Sequence, residues 1–250
     1  ALPLLPFVLL CTGCELIPRE ASGPLVQVWD RAEAKTRAHT LVVLLPGRGD
    51  RPEDFAKADV TATLRATGAE VDTVALDAHL GYYINRSIVN RLHDEVLQPA
   101  RNAGYQRIVL TGVSLGAVGS LFALRDHPDC VDAVVLLAPF AGENRKLLST
   151  VAAGGDPAGV TDAPEHEREL WNFIRECPET SLIWMGSGAS DRLGEGQRLL
   201  AQRLPAGQVC FIRGGHDWRT WRKLWHDWGC RLPVFQQVGA GGVAGPAPGI

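Results

Sequence analysis

The sequence predicts an α/β fold, a doubly wound and mostly parallel sheet with helices on both faces. Two observations carry that expectation. Short β-rich runs alternate along the chain with helix-length amphipathic segments, the order that builds βαβ units. Several of these runs are apolar at successive positions rather than at every second one, as a strand covered on both faces requires. The chain has 250 residues, 46% of them hydrophobic and 21% charged, which fits a single layered domain and excludes wholesale disorder.

Taken in order, residues 25–29 are expected as one extra strand at a sheet edge. Residues 41–45 (LVVLL), 71–76, 108–111, 131–137, 182–185 and 209–212 are the remaining strands. The segments between them are long enough for crossover helices, at about 53–67, 87–103, 115–126, 163–176, 194–204 and 217–228. The helix near Ala163 has its start marked by Asp162 as N-cap, Pro164 in the first turn and Glu165 three residues after the cap. The interval from Phe140 to Thr180 holds more than one crossover needs, so a small cap is expected over 141–179. The globular domain is then 21–236, preceded by a segment 1–20 and followed by a Gly/Pro-rich, uncharged tail at 237–250 that reads as a disordered extension.

The informative motif is Gly112-Val113-Ser114-Leu115-Gly116, directly after one strand and directly before a helical run. A serine on so tight a strand-to-helix turn takes a strained backbone conformation, so its neighbours two residues away must be very small. Its hydroxyl is then presented at the carboxyl end of the sheet, over a helix N-terminus that favours developing negative charge. A serine hydroxyl is a poor attacker without a base and a group to orient that base. His216, in Arg213-Gly214-Gly215-His216-Asp217-Trp218 after the last strand, is the candidate base; His127, His166 and His226 read as surface or packing histidines. Asp191, after the strand at 182–185, is the candidate acid. Asp217 adjoins His216 in sequence, which makes direct contact awkward, and suits the start of the last helix. Two backbone N–H groups are needed for an oxyanion. Leu115 supplies one and Arg48, in Pro46-Gly47-Arg48-Gly49-Asp50, the other, with Gly47 or Gly49 as fallback.

With these residues in hand, the chain resembles the α/β-hydrolases over about residues 41–228. PGRGD stands for the oxyanion loop, GVSLG for the nucleophile turn, SGASD for the acid and GGHDW for the base. The order Ser114, Asp191, His216 is the family's order. The His-Asp-Trp-x-x-Trp ending is similar to esterases of the esterase D and mycolyltransferase type. Two departures stand out: Pro46 replaces the usual histidine before the oxyanion glycine, and about one strand precedes Leu41, which implies a reduced sheet. The resemblance implies a serine hydrolase that cleaves carboxylic esters through an acyl-enzyme. The alternatives are an acyltransferase using the same three residues and a non-catalytic surface-binding lipoprotein. Asp77, His79, Tyr82, Gly47 and Trp218 are expected to line the substrate pocket, while Trp221, Trp225 and Trp228 recur at helical spacing as core.

The apolar run Leu2 to Leu10 followed by Cys11-Thr12-Gly13-Cys14 resembles the end of a bacterial lipoprotein signal, with Cys14 as the lipid anchor. That implies the cell envelope, periplasmic or outer-surface, with membrane attachment through the lipid. In an oxidising compartment Cys130, Cys177, Cys210 and Cys230 could form up to two disulfides, with three pairings open. No run reaches the roughly 18–20 apolar residues that span a bilayer. A net charge of −3 without a polybasic stretch argues against nucleic acid as partner. No phosphate-cradling glycine loop and no H-E-x-x-H pattern is present, so no cofactor or metal is expected; the expected partner is a small-molecule or lipid-like ester.

Overall fold

The computed structural model of the chain describes residues 19–32 and 38–236. Cys14 and the tail at 237–250 lie outside them. Seven strands form one sheet in the order β1-β3-β2-β4-β5-β6-β7: β1 (Gln27–Asp30), β2 (Thr40–Leu45), β3 (Val71–Leu76), β4 (Arg107–Val113), β5 (Ala133–Leu137), β6 (Ile183–Gly188) and β7 (Val209–Ile212). Every neighbouring pair is parallel except β1 with β3, so the extra edge strand runs against the rest.

The unbroken apolar runs find cover on both sides. Leu41, Val43 and Leu45 of β2 enter one core while Val42 and Leu44 enter the other. The first core lies under α3 (Leu80–Ile84), α4 (Ile88–Leu92), α5 (Gln98–Asn102), α6 (Leu115–Asp126), α7 (Arg145–Ala152), α8 (Glu165–Glu176) and α9 (Gly194–Ala201). The second lies under α1 (Pro52–Lys57), α2 (Val60–Ala66) and α10 (Trp218–Asp227). Adjacent strands β2 and β4 therefore send their following helices to opposite faces. The crevice that opens between two such strands is the usual ligand position in a sheet of this kind.

Several elements differ from expectation. The helix expected at 53–67 is two, because Asp59 stands in the left-handed region at φ 55° between α1 and α2. The stretch 87–103 is helical throughout but widens into a π turn at His93–Leu97. Pro99 has no N–H to donate one turn back, and the side-chain amide of Gln27 donates to the Glu95 carbonyl instead (3.1 Å). Asp162 does not cap α8: the helix starts after Pro164, and Asp162 pairs with Lys146 at 3.0 Å. The interval expected to form a cap holds α7 and α8, and Leu170, Trp171 and Ile174 of α8 are buried in the core. The four described cysteines are all free thiols, so none of the disulfides allowed for above is formed. Cys130 and Cys177 belong to one face of the sheet and Cys210 and Cys230 to the other, so the strands stand between the two pairs. Among the described residues no helix is long and apolar enough to cross a membrane.

Candidate active site

Ser114 follows β4 directly, with its backbone at φ 50°, ψ −108°. A side-chain-bearing residue in that conformation must be held there. Its N–H donates to the Leu137 carbonyl (2.9 Å), and its own carbonyl accepts from Phe140 N–H (3.1 Å) and Ala117 N–H (3.2 Å). The two flanking glycines are required by contact. A Cβ on Gly112 would stand 2.4 Å from the Gly116 carbonyl oxygen, and one on Gly116 only 2.2 Å from the carbonyl oxygen of Leu45 on β2. The turn is backbone packed on backbone, and the hydroxyl is what it leaves free to project.

The other two side chains arrive from β6 and β7. After β7, Gly214 adopts φ 152° and its carbonyl oxygen would sit 2.5 Å from any Cβ on Gly188, so the chain passes closely over the end of β6. That close crossing carries His216 back over the sheet edge. Its Nε2 lies 2.9 Å from Ser114 Oγ and its Nδ1 lies 2.8 Å from Asp191 Oδ2. A carboxylate only accepts, so the proton resides on Nδ1 and the Nε2 lone pair faces the serine hydroxyl. The Asp191 side chain is fully covered, and its second oxygen accepts from Leu193 N–H at 2.8 Å. Burial pushes this carboxyl up, but the bonds from His216 and Leu193 together outweigh burial and hold it below the usual carboxylate range. Asp217 caps α10 instead, accepting from Thr220 N–H at 2.9 Å.

The loop after β2 lies against the serine. A Cβ on Gly47 would be 3.4 Å from Ser114 Cβ and 3.5 Å from the Val113 carbonyl oxygen. Among the described residues nothing accepts from the backbone N–H of Arg48 or of Leu115. Gly47 is not equivalent, because its N–H donates to Asp50 Oδ2 (3.2 Å). The other oxygen of Asp50 accepts from the Trp218 indole N–H at 2.9 Å, which ties this loop to the start of α10, two residues past His216. Burial raises Asp50 above its ordinary range, opposed by the Trp218 bond and reinforced by nearby Asp54. Trp221 presses edge-on against the His216 ring, with centroids 5.0 Å apart, and against Trp218 at 5.3 Å. Sequence reasoning missed Asp50 and treated Trp221 only as core. The acid residue closing PGRGD was the available signal for the first.

Of the expected pocket residues, Gly47 and Trp218 stand beside the serine and the base loop, whereas Asp77, His79 and Tyr82 are engaged elsewhere. Asp77 pairs with Arg19 at 2.5 Å, Nδ1 of His79 accepts from Gly81 N–H at 3.2 Å, and the Tyr82 hydroxyl donates to the Gly23 carbonyl at 3.1 Å. Asp77 and Tyr82 thus hold the segment that leads into β1, and His79 caps α3. A cavity of 530 Å³ lies instead between the α3–α4 hairpin, α6 and α8, reaching Leu115 and walled by Tyr83, Ile88, Val118 and Phe122. Of the other histidines, His127 stacks on His93 (3.9 Å), His166 faces Phe140 (6.2 Å) and also lines this cavity, and His226 contacts Asp227 (2.9 Å).

A mostly parallel sheet of this order, with a serine turn after one central strand, defines the chain as an α/β-hydrolase of esterase type. It belongs to the esterase family described as "Putative esterase", whose profile matches residues 22–227. Among solved structures it is similar to a ferulic acid esterase, with 18% identity and a TM-score of 0.54 over 82% of this chain and 96% of that one. It is also similar to a monoacylglycerol lipase of Paleococcus ferrophilus, at 15% identity and TM-score 0.53 over 83% and 99% of the two chains. Est1E of Butyrivibrio proteoclasticus gives 13% and 0.53 over 85% and 96%. No curated protein matches the chain.

Proposed function

We propose that the chain hydrolyses small carboxylic esters by a two-step acyl-enzyme route. Ser114 Oγ attacks the ester carbonyl carbon while His216 Nε2 takes its proton, and Asp191 steadies the resulting imidazolium through Nδ1. The carbonyl oxygen, now an oxyanion, accepts from the Arg48 and Leu115 amides, and the dipole of α6 favours the negative charge. Collapse of the tetrahedral species breaks the C–O bond of the ester, and Nε2 returns the proton to the departing alkoxide. Water then gives a proton to Nε2 and attacks the acyl carbon; the second tetrahedral species breaks its bond to Ser114 Oγ, Nε2 returns the proton to Oγ, and the acid departs.

The observation that carries this reading is the continuous hydrogen-bonded series Asp191–His216–Ser114, converging on a backbone strained at the serine and nowhere else in that turn. Two donors without acceptors beside it add to the case. Fluorophosphonate labelling tests it: the wild-type protein should take one label on Ser114, and Ser114→Ala should take none while remaining folded. Labelling of the variant at the wild-type level would refute the assignment. We further propose envelope attachment through a lipidated Cys14. Mass spectrometry of the full chain expressed in bacteria should find diacylglycerol on that residue, and an unmodified soluble product removes the idea.

A further inference from the structure

We propose that the 530 Å³ cavity along α6 receives the acyl group of the ester, and that it selects a neutral, apolar acyl chain of medium length, about hexanoyl to decanoyl. The inference rests on the reaction proposed above and specifies its substrate.

Three observations point there. The first is position. Leu115, whose amide faces the oxyanion in the proposed reaction, also lines the cavity, so the space begins one residue from the nucleophile. The second is side. His216 and its supporting tryptophans stand over the face covered by α1, α2 and α10, whereas the cavity lies over the face covered by α3 to α9. The leaving alkoxide must sit beside Nε2 to collect its proton, so the group that stays on Ser114 is directed to the opposite side, toward the cavity.

The third is chemistry. The volume falls within the roughly 300–1,000 Å³ of small-molecule pockets, and just over half of the lining residues are aliphatic or aromatic. Ile84, which lines the cavity and is 61% exposed, is among the few large apolar side chains the described surface leaves open, which suits an alkyl chain. The charged residues at the rim are already satisfied. Arg86 reaches across from the α3–α4 turn to Glu165 (2.7 Å) and Glu169 (2.5 Å) on α8, and Arg125 is bonded to Asp126 (2.6 Å). Both arginines among the described lining residues are therefore already engaged by carboxylates, which disfavours an acyl group that ends in a carboxylate. In this proposal the Arg86 link from the α3–α4 turn to α8 marks the outer limit of the site, and hence the upper limit on chain length.

The test compares p-nitrophenyl acetate, octanoate and hexadecanoate with wild-type protein and two variants. Wild type should prefer octanoate to acetate by about tenfold or more in kcat/KM, and should turn hexadecanoate over poorly. Val118→Trp fills the cavity and should cut the octanoate-to-acetate ratio at least tenfold. Ile84→Asp, at an exposed position that cannot disturb the core, should cut the same ratio about fivefold and covers the case in which the tryptophan variant fails to fold. Fluorophosphonate labelling of each protein is read in parallel. Intact labelling with an unchanged ratio in the folded variants overturns the cavity assignment and leaves the hydrolase standing. A wild-type protein that neither labels nor cleaves any ester overturns the underlying reaction and the cavity with it.

Discussion

The two faces of the sheet put their aromatic residues to different uses. Over α1, α2 and α10 the aromatic residues lock together: Phe55 meets Trp218 edge-on at 5.4 Å, Trp218 meets Trp221, Trp221 meets His216, and the Trp225 indole donates to the Val60 carbonyl (3.0 Å). Over the opposite face, α3, α4, α6 and α8 leave a cavity, and the Tyr83 hydroxyl is buried there against Gly119 with no partner among the described residues. The difference teaches where tolerance lies. The imidazole must be held to fractions of an ångström for proton transfer, so ring contacts concentrate behind it, even though a cavity of 710 Å³ opens beside Trp218 between α1 and α10 on the same face. Tolerance is therefore least where rings meet the imidazole, not across a whole face.

That contrast can be broken or sharpened by substitution. The largest effect is expected at the join of the two faces: Ser114→Ala should lower kcat about 10⁴–10⁶-fold with an unchanged fold, measured by ester turnover and circular dichroism. Asp191→Asn should lower kcat about 10⁴-fold, because the amide favours the wrong imidazole tautomer. It also changes the pH response. The folded pKa of Asp191 lies below its unfolded one, so its ionised form stabilises the fold above the ordinary carboxylate range, and that contribution is lost as pH falls through the folded value. Denaturant titrations should therefore find the stability gap between wild type and Asp191→Asn widest near neutrality and narrowing toward about pH 3. A gap that grows in acid contradicts the assignment.

Behind the imidazole, Trp221→Ala should cost about 3–5 kcal/mol of stability and lower turnover as the His216 ring loses its edge contact, both visible in one denaturation and activity series. Asp50→Asn should lower kcat about 10–100-fold with KM little moved. An asparagine offers one acceptor where the carboxylate serves two N–H donors, so either the Gly47 amide or the Trp218 indole is released. The smallest effect belongs to the other face. Tyr83→Phe removes a buried hydroxyl that bonds nothing described, and should leave stability unchanged or raise it by about 1 kcal/mol. A clear destabilisation there would mean that the hydroxyl has a partner its geometry does not indicate.

How much of this was legible in the sequence depends on how local each signal is. The serine turn, the base loop and the cap at Asp217 are written in a handful of adjacent residues, where glycine spacing and a capping carboxylate state their own reason. The central strands were legible because their continuous apolar runs have one natural environment. The break at Asp59 was not, since neither glycine nor proline marks it and an aspartate supplies the left-handed residue. Asp50 was hidden for another reason: its indole partner lies 168 residues further along the chain, a distance over which no periodicity reaches. The roles of the two α3 tyrosines were not legible either. Tyr82 and Tyr83 are neighbours on a short helix, and only packing decides that Tyr82 serves the N-terminal segment while Tyr83 faces the cavity.

The Asp50–Trp218 bond has a bearing on how the enzyme comes into being. Domains begin to organise as they leave the ribosome, from the amino end onward. The loop after β2 is among the first parts to emerge, yet its clamp belongs to the last helix, as does the wall behind the imidazole. A nascent chain can therefore display its serine turn well before it can use it, and hydrolytic competence switches on only when translation of the domain is nearly finished.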